Sequence, residues 1–162
     1  MRSKVRFLAA ALAGLLAITL AACAPASQGV EIADGWVRAS EFSAEAGGMT
    51  GAFAKITNTT NTDVTLVGGS AEIAGMVEIH EVVMLDNAMK MQKKEGGIVI
   101  GAGQTIVLEP GGLHVMLMDI AKPIVAGDTI TLTLDFEGTE SQTVTWTAKT
   151  SEAGDEEYHS GD

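Results

Sequence analysis

The sequence predicts an all-β domain, a sandwich or barrel, and three observations carry that prediction. Short apolar or alternating runs fill the chain from Val30 to about Thr150, split by Gly, Asn, Asp and Pro. Val, Ile and Thr dominate these runs, and turn signals recur about every 8–12 residues, the spacing of a sandwich or barrel. Beyond the N-terminal apolar segment, no stretch of useful length has the helical period.

In chain order, the first strands are expected at Val30–Ala39 and Met49–Thr57. The second is closed by Asn58-Thr59-Thr60 and Asn61-Thr62, residues whose side chains favour turns. Val64–Val67 follows, then Met76–Leu85 and Ala88–Gln92, with Asp86-Asn87 between the last two suited to a two-residue hairpin. Gln104–Leu108 precedes Pro110-Gly111-Gly112, a strong turn that opens Leu113–Asp119. Thr129–Phe136 and Thr143–Ala148 complete the set. Thr129-Ile130-Thr131-Leu132-Thr133-Leu134 alternates with period two, as a sheet with one wet face should. Trp36 and Trp146 are expected as core anchors. No internal repeat is present.

The two ends differ from this body. Arg2, Lys4 and Arg6 precede an apolar run from Phe7 to Ala22, the pattern of an export signal. Its 16 residues fall short of the roughly 20 that a spanning helix needs. Leu20-Ala21-Ala22-Cys23 resembles a bacterial lipobox, in which cleavage leaves Cys23 as a lipidated N-terminus. Residues 1–22 are thus expected as a lipoprotein signal and residues 23–29 as a flexible tether. The domain would lie outside the cytoplasm, held to the outer face of the cell membrane or to a periplasmic membrane surface. The last segment, 151–162, is acidic, nearly free of core-forming residues and expected to be disordered.

Composition narrows the function. The formal net charge is −11, and loss of the signal removes three positive charges and no negative ones, leaving about −14. A surface so negative argues against nucleic acid, whose binding relies on Lys and Arg neutralising phosphates. The single Cys excludes an intrachain disulfide and a Cys-based zinc site. Enzyme motifs are incomplete. Gly68-Gly69-Ser70-Ala71-Glu72 fails the nucleophile elbow at its last position, and Gly101-Ala102-Gly103 lacks the third glycine of a dinucleotide loop. The expectation is a non-enzyme.

Methionine and histidine stand apart. Met49, Met76, Met84, Met89, Met91, Met116 and Met118 all lie between positions 49 and 118, together with His80 and His114. Met is not a favoured strand former and specifies packing poorly, so its concentration in a β domain asks for a reason. With Asp86-Asn87 as the turn, Leu85 faces Ala88, Met84 faces Met89 and Val82 faces Met91. His80, Val82 and Met84 then share a face with Met89 and Met91, and His80 and Met91 become diagonal neighbours. Lengthening the loop by two residues keeps this parity; lengthening it by one destroys it. In the segment after Gly112, Leu113, Val115 and Leu117 take one face, and His114, Met116 and Met118 the other. One strand and one hairpin can thus present two His and two or more Met to one point.

Thioethers are soft and neutral and favour Cu(I), whereas calcium and magnesium prefer oxygen and zinc prefers His, Cys and carboxylate. A blue-copper centre needs a Cys thiolate, which the lipidated chain cannot spare. Outside the cytoplasm thiols tend to oxidise, so His and Met are the practical ligands for carrying Cu(I).

His80, ten residues, Met91, twenty-two residues, then His114-Val115-Met116 resembles the signature of the periplasmic copper A chaperones, the PCu(A)C family. Gly35-Trp36-Val37-Arg38, Ile79-His80-Glu81, Met89-Lys90-Met91 and Pro110-Gly111-Gly112-Leu113 match as well, and the likeness covers about Val30 to Lys149. It implies a cupredoxin-like Greek-key barrel that binds one Cu(I) through His80, Met91, His114 and Met116. It further implies delivery to the CuA centre of cytochrome c oxidase, with a Sco-type protein as co-worker; a monomer is expected. Met84, Met89 and Met118 read as packing or a soft rim, and Met49 and Met76 as core, with Met49 able to approach the site from a loop. Glu81 reads equally as a group orienting its neighbouring ligand or as a solvated strand residue. The tail holds only His159 besides carboxylates, which argues against the second copper site of some relatives. Two alternatives stay open: a copper buffer or resistance lipoprotein, and a metal-free sandwich that binds a protein or glycan.

Overall fold

The computed structural model describes residues 29–40, 48–85 and 87–150. Among these residues the regular structure is entirely β. The strands are β1 (Val30–Arg38), β2 (Gly48–Asn58), β3 (Val64–Ala71), β4 (Ala74–Leu85), β5 (Ala88–Lys93), β6 (Ile98–Ile100), β7 (Thr105–Leu108), β8 (His114–Ile120), β9 (Thr129–Glu137) and β10 (Gln142–Lys149). Seven of them close a ring in the order β4-β8-β2-β1-β10-β9-β3, and Gly69 pairs with Val77 to join β3 back to β4. The other three each hang on one ring strand: β5 on β4, β6 on β3 and β7 on β2. Neighbours in the ring are mostly distant in sequence, the mark of Greek-key connection. Among the described residues no helix is long and apolar enough to cross a membrane.

Period-two alternation fills the barrel. Val37, Ala52, Ile56, Val77, Ile79, Val115, Leu117, Leu132, Leu134 and Trp146 point inward and are buried. A bulge between Ala33 and Trp36, with Asp34 at φ 57°, sets which β1 side chains join them. Its extra residue reverses the alternation, so Val37 turns inward while Trp36, opposite Phe53, turns outward. Gly35, inside the bulge, lies against the Trp146 indole, where a Cβ would collide. At the barrel's far end, buried Asn58 donates through Nδ2 to the carbonyls of Thr62 (2.7 Å) and Ile100 (2.9 Å). Its Oδ1 accepts from the Thr60 amide and hydroxyl, so one side chain staples the turn to β6.

The expected strands are present with small shifts, but three expectations need correction. Ile98-Val99-Ile100 is a further strand, its three residues too few to show a pattern between Gly96-Gly97 and Gly101. The strand expected to end at Val67 runs further: β3 continues through Gly68-Gly69-Ser70 to Ala71, with a register shift between Leu66 and Gly68. Trp36, Met49 and Met76 are not core residues. Trp36 stacks on Phe53 outside the barrel, ring centroids 4.6 Å apart, and Met49 and Met76 are each 40% exposed. The signal, Cys23, His159 and the acidic tail lie outside the described residues, as does the tether except Gly29. That residue is buried, and its carbonyl accepts from the Thr59 hydroxyl at 2.8 Å.

Candidate metal site

The hairpin parity read from the sequence is the parity of the structure. Leu85 pairs with Ala88, Met84 with Met89 and Val82 with Met91, and Asn87 takes φ 65° in the turn. On the other side of β4, β8 sets Met76 against Met118, Glu78 against Met116 and His80 against His114. Directly opposed residues share a face. The outer face of β5, β4 and β8 therefore carries Met91, His80, His114 and Met116, while Val77, Ile79, Val115 and Leu117 fill the barrel behind them.

Local geometry fixes each ring. The Pro110-Gly111-Gly112 turn, with Gly111 at φ 77°, places the Gly112 carbonyl 3.0 Å from His114 Nδ1. A carbonyl only accepts, so Nδ1 carries the hydrogen, and in the neutral ring Nε2 is left as a lone pair. That nitrogen lies 3.1 Å from the Met91 Sδ. Two lone-pair donors thus face each other, an arrangement that favours a cation between them. The His80 Nε2–H donates to Glu78 Oε2 at 3.1 Å, which leaves its Nδ1 as the basic atom. This Nδ1 is buried and has no hydrogen-bond partner among the described residues. A buried, unpartnered imidazole nitrogen calls for an explanation, and a bound metal ion would supply one. The two rings are 5.8 Å apart between centroids, His80 is 8% exposed, and His114 and Met116 are 1% exposed.

No group of three or more His, Cys, Asp or Glu able to hold a metal exists among the described residues. An ion at His80 and His114 could draw on the thioethers beside them, and such a donor set suits Cu(I) rather than zinc, calcium or magnesium. Met91 touches His114. Met116, buried on the same face, stands opposite Glu78 and two residues from His114.

The carboxylate beside His80 is Glu78, not Glu81. Glu81 points to the opposite face, where it accepts from Lys94 (2.8 Å) and Gln92 (3.3 Å). Lys94, then Gln92, hold its carboxyl below the usual range. Glu78 accepts from Lys93 (2.7 Å) as well as from His80, and these two bonds hold its carboxyl low in turn. The sequence contained the signal for Glu78: two residues from His80 is one strand period, whereas Glu81 is adjacent and so faces away. Phe53 is a second residue that sequence reading passed over. Its ring covers Gly51, where a Cβ would come within 2.6 Å, and lies 6.3 Å from the His114 ring with the Arg38 guanidinium 5.6 Å from its centroid. Met118 is half-buried opposite Met76, and Met84 and Met89 are 63% and 59% exposed at the hairpin tip.

Residues 30–148 match the family model described as "Putative lipoprotein LpqE-like". The chain is 32% identical to "Putative lipoprotein Lxx21020" of Leifsonia xyli subsp. xyli, over 98% of this chain and 99% of that protein. Two solved structures share the cupredoxin-like barrel. The copper-bound PCuAC domain from PmoF2 superposes with TM-score 0.61 at 23% identity, over 75% of this chain and 93% of that domain. The solution structure of CuI-DR1885 from Deinococcus radiodurans gives TM-score 0.55 at 27% identity, over 74% and 76% of the two chains.

Proposed function

The chain belongs to the LpqE-like lipoprotein family, and from that premise we propose that it is an extracytoplasmic carrier of one Cu(I) ion. His80, Met91, His114 and Met116 are the assigned ligands, and Cys23 is the lipid anchor. The observation that carries the reading is the 3.1 Å approach of His114 Nε2 to the Met91 Sδ, with the other ring nitrogen committed to the Gly112 carbonyl. The unpartnered Nδ1 of His80 supports it from the facing strand. Neutral ligands let copper arrive and depart as Cu(I), with no thiolate to oxidise, so the role is carriage rather than catalysis. The acceptor we assign is the CuA centre of cytochrome c oxidase, with a Sco-type protein acting beside a monomeric chaperone. That assignment follows the resemblance of the His–Met signature to the PCu(A)C family.

Bathocuproine competition for Cu(I) tests the site. Wild-type protein should bind one equivalent, and Met91→Ala and His114→Ala should each bind far more weakly. Affinity unchanged in both variants would remove the site. Transfer of the loaded ion to an apo CuA domain tests the acceptor.

A further inference from the structure

The hairpin tip carries a second soft pair that the four assigned ligands do not use. Met84 and Met89 are directly opposed across β4 and β5, next to the turn at Asn87. Opposed residues hold their Cβ atoms about 5 Å apart, and a Met side chain has the reach to bring both sulfurs to one ion. The two residues are 63% and 59% exposed, among the most open large apolar side chains of the described chain. Neither contributes to the core, and methionine is not a favoured strand former. Their position supplies the reason. Met89 is one strand period from Met91, and Met84 is two periods from His80, all on one face. A line of sulfur therefore runs from solvent at the tip, through Met91, to His114.

We propose that Met84 and Met89 form a transient Cu(I) acceptance site, where an incoming ion is first held by two thioethers before it passes to Met91 and the histidines. The inference rests on the Cu(I) reading of the inner site. The ion enters and leaves as Cu(I), the thioethers are neutral throughout, and no electron or proton is exchanged. Affinity at the tip must be low, because two exposed thioethers in water hold an ion less firmly than a buried set that includes imidazole. A low-affinity outer pair feeding a high-affinity inner set gives a downhill route. Release to a partner can use the same route, because Met84 and Met89 at the tip are open to another protein.

The test is NMR of the protein labelled with [13C-methyl]methionine, titrated with Ag(I) as a redox-inert probe for Cu(I). In a Met91→Leu/His114→Gln variant the Met84 and Met89 methyl signals should shift together, and adding Met84→Leu should abolish the Met89 shift. In wild-type protein already holding one equivalent, a second should move the same two signals, which guards against misfolding of the double variant. Stopped-flow Cu(I) loading of Met84→Leu/Met89→Leu, which keeps the apolar tip but removes its sulfur, should slow by roughly tenfold through loss of the locally concentrated ion. Methyl signals that stay fixed, or loading at the wild-type rate, would overturn the proposal and leave the tip as an apolar docking surface. Failure of wild-type protein to bind Cu(I) in competition would instead sink the inner site, whatever the tip methyls do.

Discussion

Glu78 Oε2 lies 3.1 Å from Nε2 of His80, its neighbour by one strand period, and Lys93 holds the other carboxylate oxygen at 2.7 Å. A carboxylate on the far nitrogen of an imidazole fixes the tautomer and raises the basicity of the near one. The three residues form a chain that ends on the buried Nδ1.

Glu78→Ala should therefore weaken Cu(I) binding by about 10–100-fold, the usual cost of losing such a partner. Glu81→Ala, on the opposite face with Lys94 and Gln92, should leave affinity near the wild-type value. Bathocuproine competition on the two variants separates them, and equal losses would mean that β4 responds to any charge change rather than to this contact.

Acid should act on the metal-free protein through the same residue. Bonds from Lys93 and His80 hold the Glu78 carboxyl below its ordinary 4.5. A lowered carboxyl contributes stability that is complete above the unfolded value, about pH 4.5, and is lost as pH falls through the lowered folded value. The gap in Tm between wild-type protein and Glu78→Gln should hold steady above about pH 5 and shrink below about pH 4.5. A gap that widens on acidification would contradict the sign.

Gly35→Ala should destabilise the barrel by about 1–3 kcal/mol, because its Cβ would run into the buried Trp146 indole. Val99→Ala, at a side chain 62% exposed, should change stability by less than about 0.5 kcal/mol. Urea unfolding of both reads the difference.

Asn58→Ala should cost about 2 kcal/mol, since it removes the side chain that satisfies the Ile100 carbonyl and the Thr60 amide, while the Thr62 carbonyl keeps the Thr60 hydroxyl as donor. Hydrogen exchange should show the loss first at β6 and at the Thr59–Thr62 turn. Uniform loosening of the whole barrel would argue that the side chain does more than join those two pieces.

Much of this architecture was legible because β structure writes itself with period two. The faces of β4, β5 and β8 followed from alternation plus one turn, and the predicted opposition of Val82 and Met91 is the observed one. What alternation could not supply was register between strands far apart in sequence. The bulge at Asp34 and Gly35 depends on pairing with β2, so nothing local to β1 said that Trp36 would turn outward onto Phe53. Met49 and Met76 were misplaced for a different reason. Hydrophobicity argued for the core, yet Met76 alternates with inward-facing Val77, and parity, had it been applied there as it was to the hairpin, puts Met76 outside. The same parity decides between the two readings of Glu81 and points to Glu78 as the carboxylate beside His80.

The ring closed by Gly69 and Val77 does not include β5, which among the described residues pairs with β4 alone. His80, His114 and Met116 are thus built into strands locked on both sides, while Met91 rides on a flap with one free margin. The backbone that carries Met91 can leave His114 by the peeling of a single six-residue strand from its one neighbour among the described residues. Parting His80 from His114 would require splitting the barrel wall itself. The four side chains are unequal mechanically: three belong to the frame and one to the door.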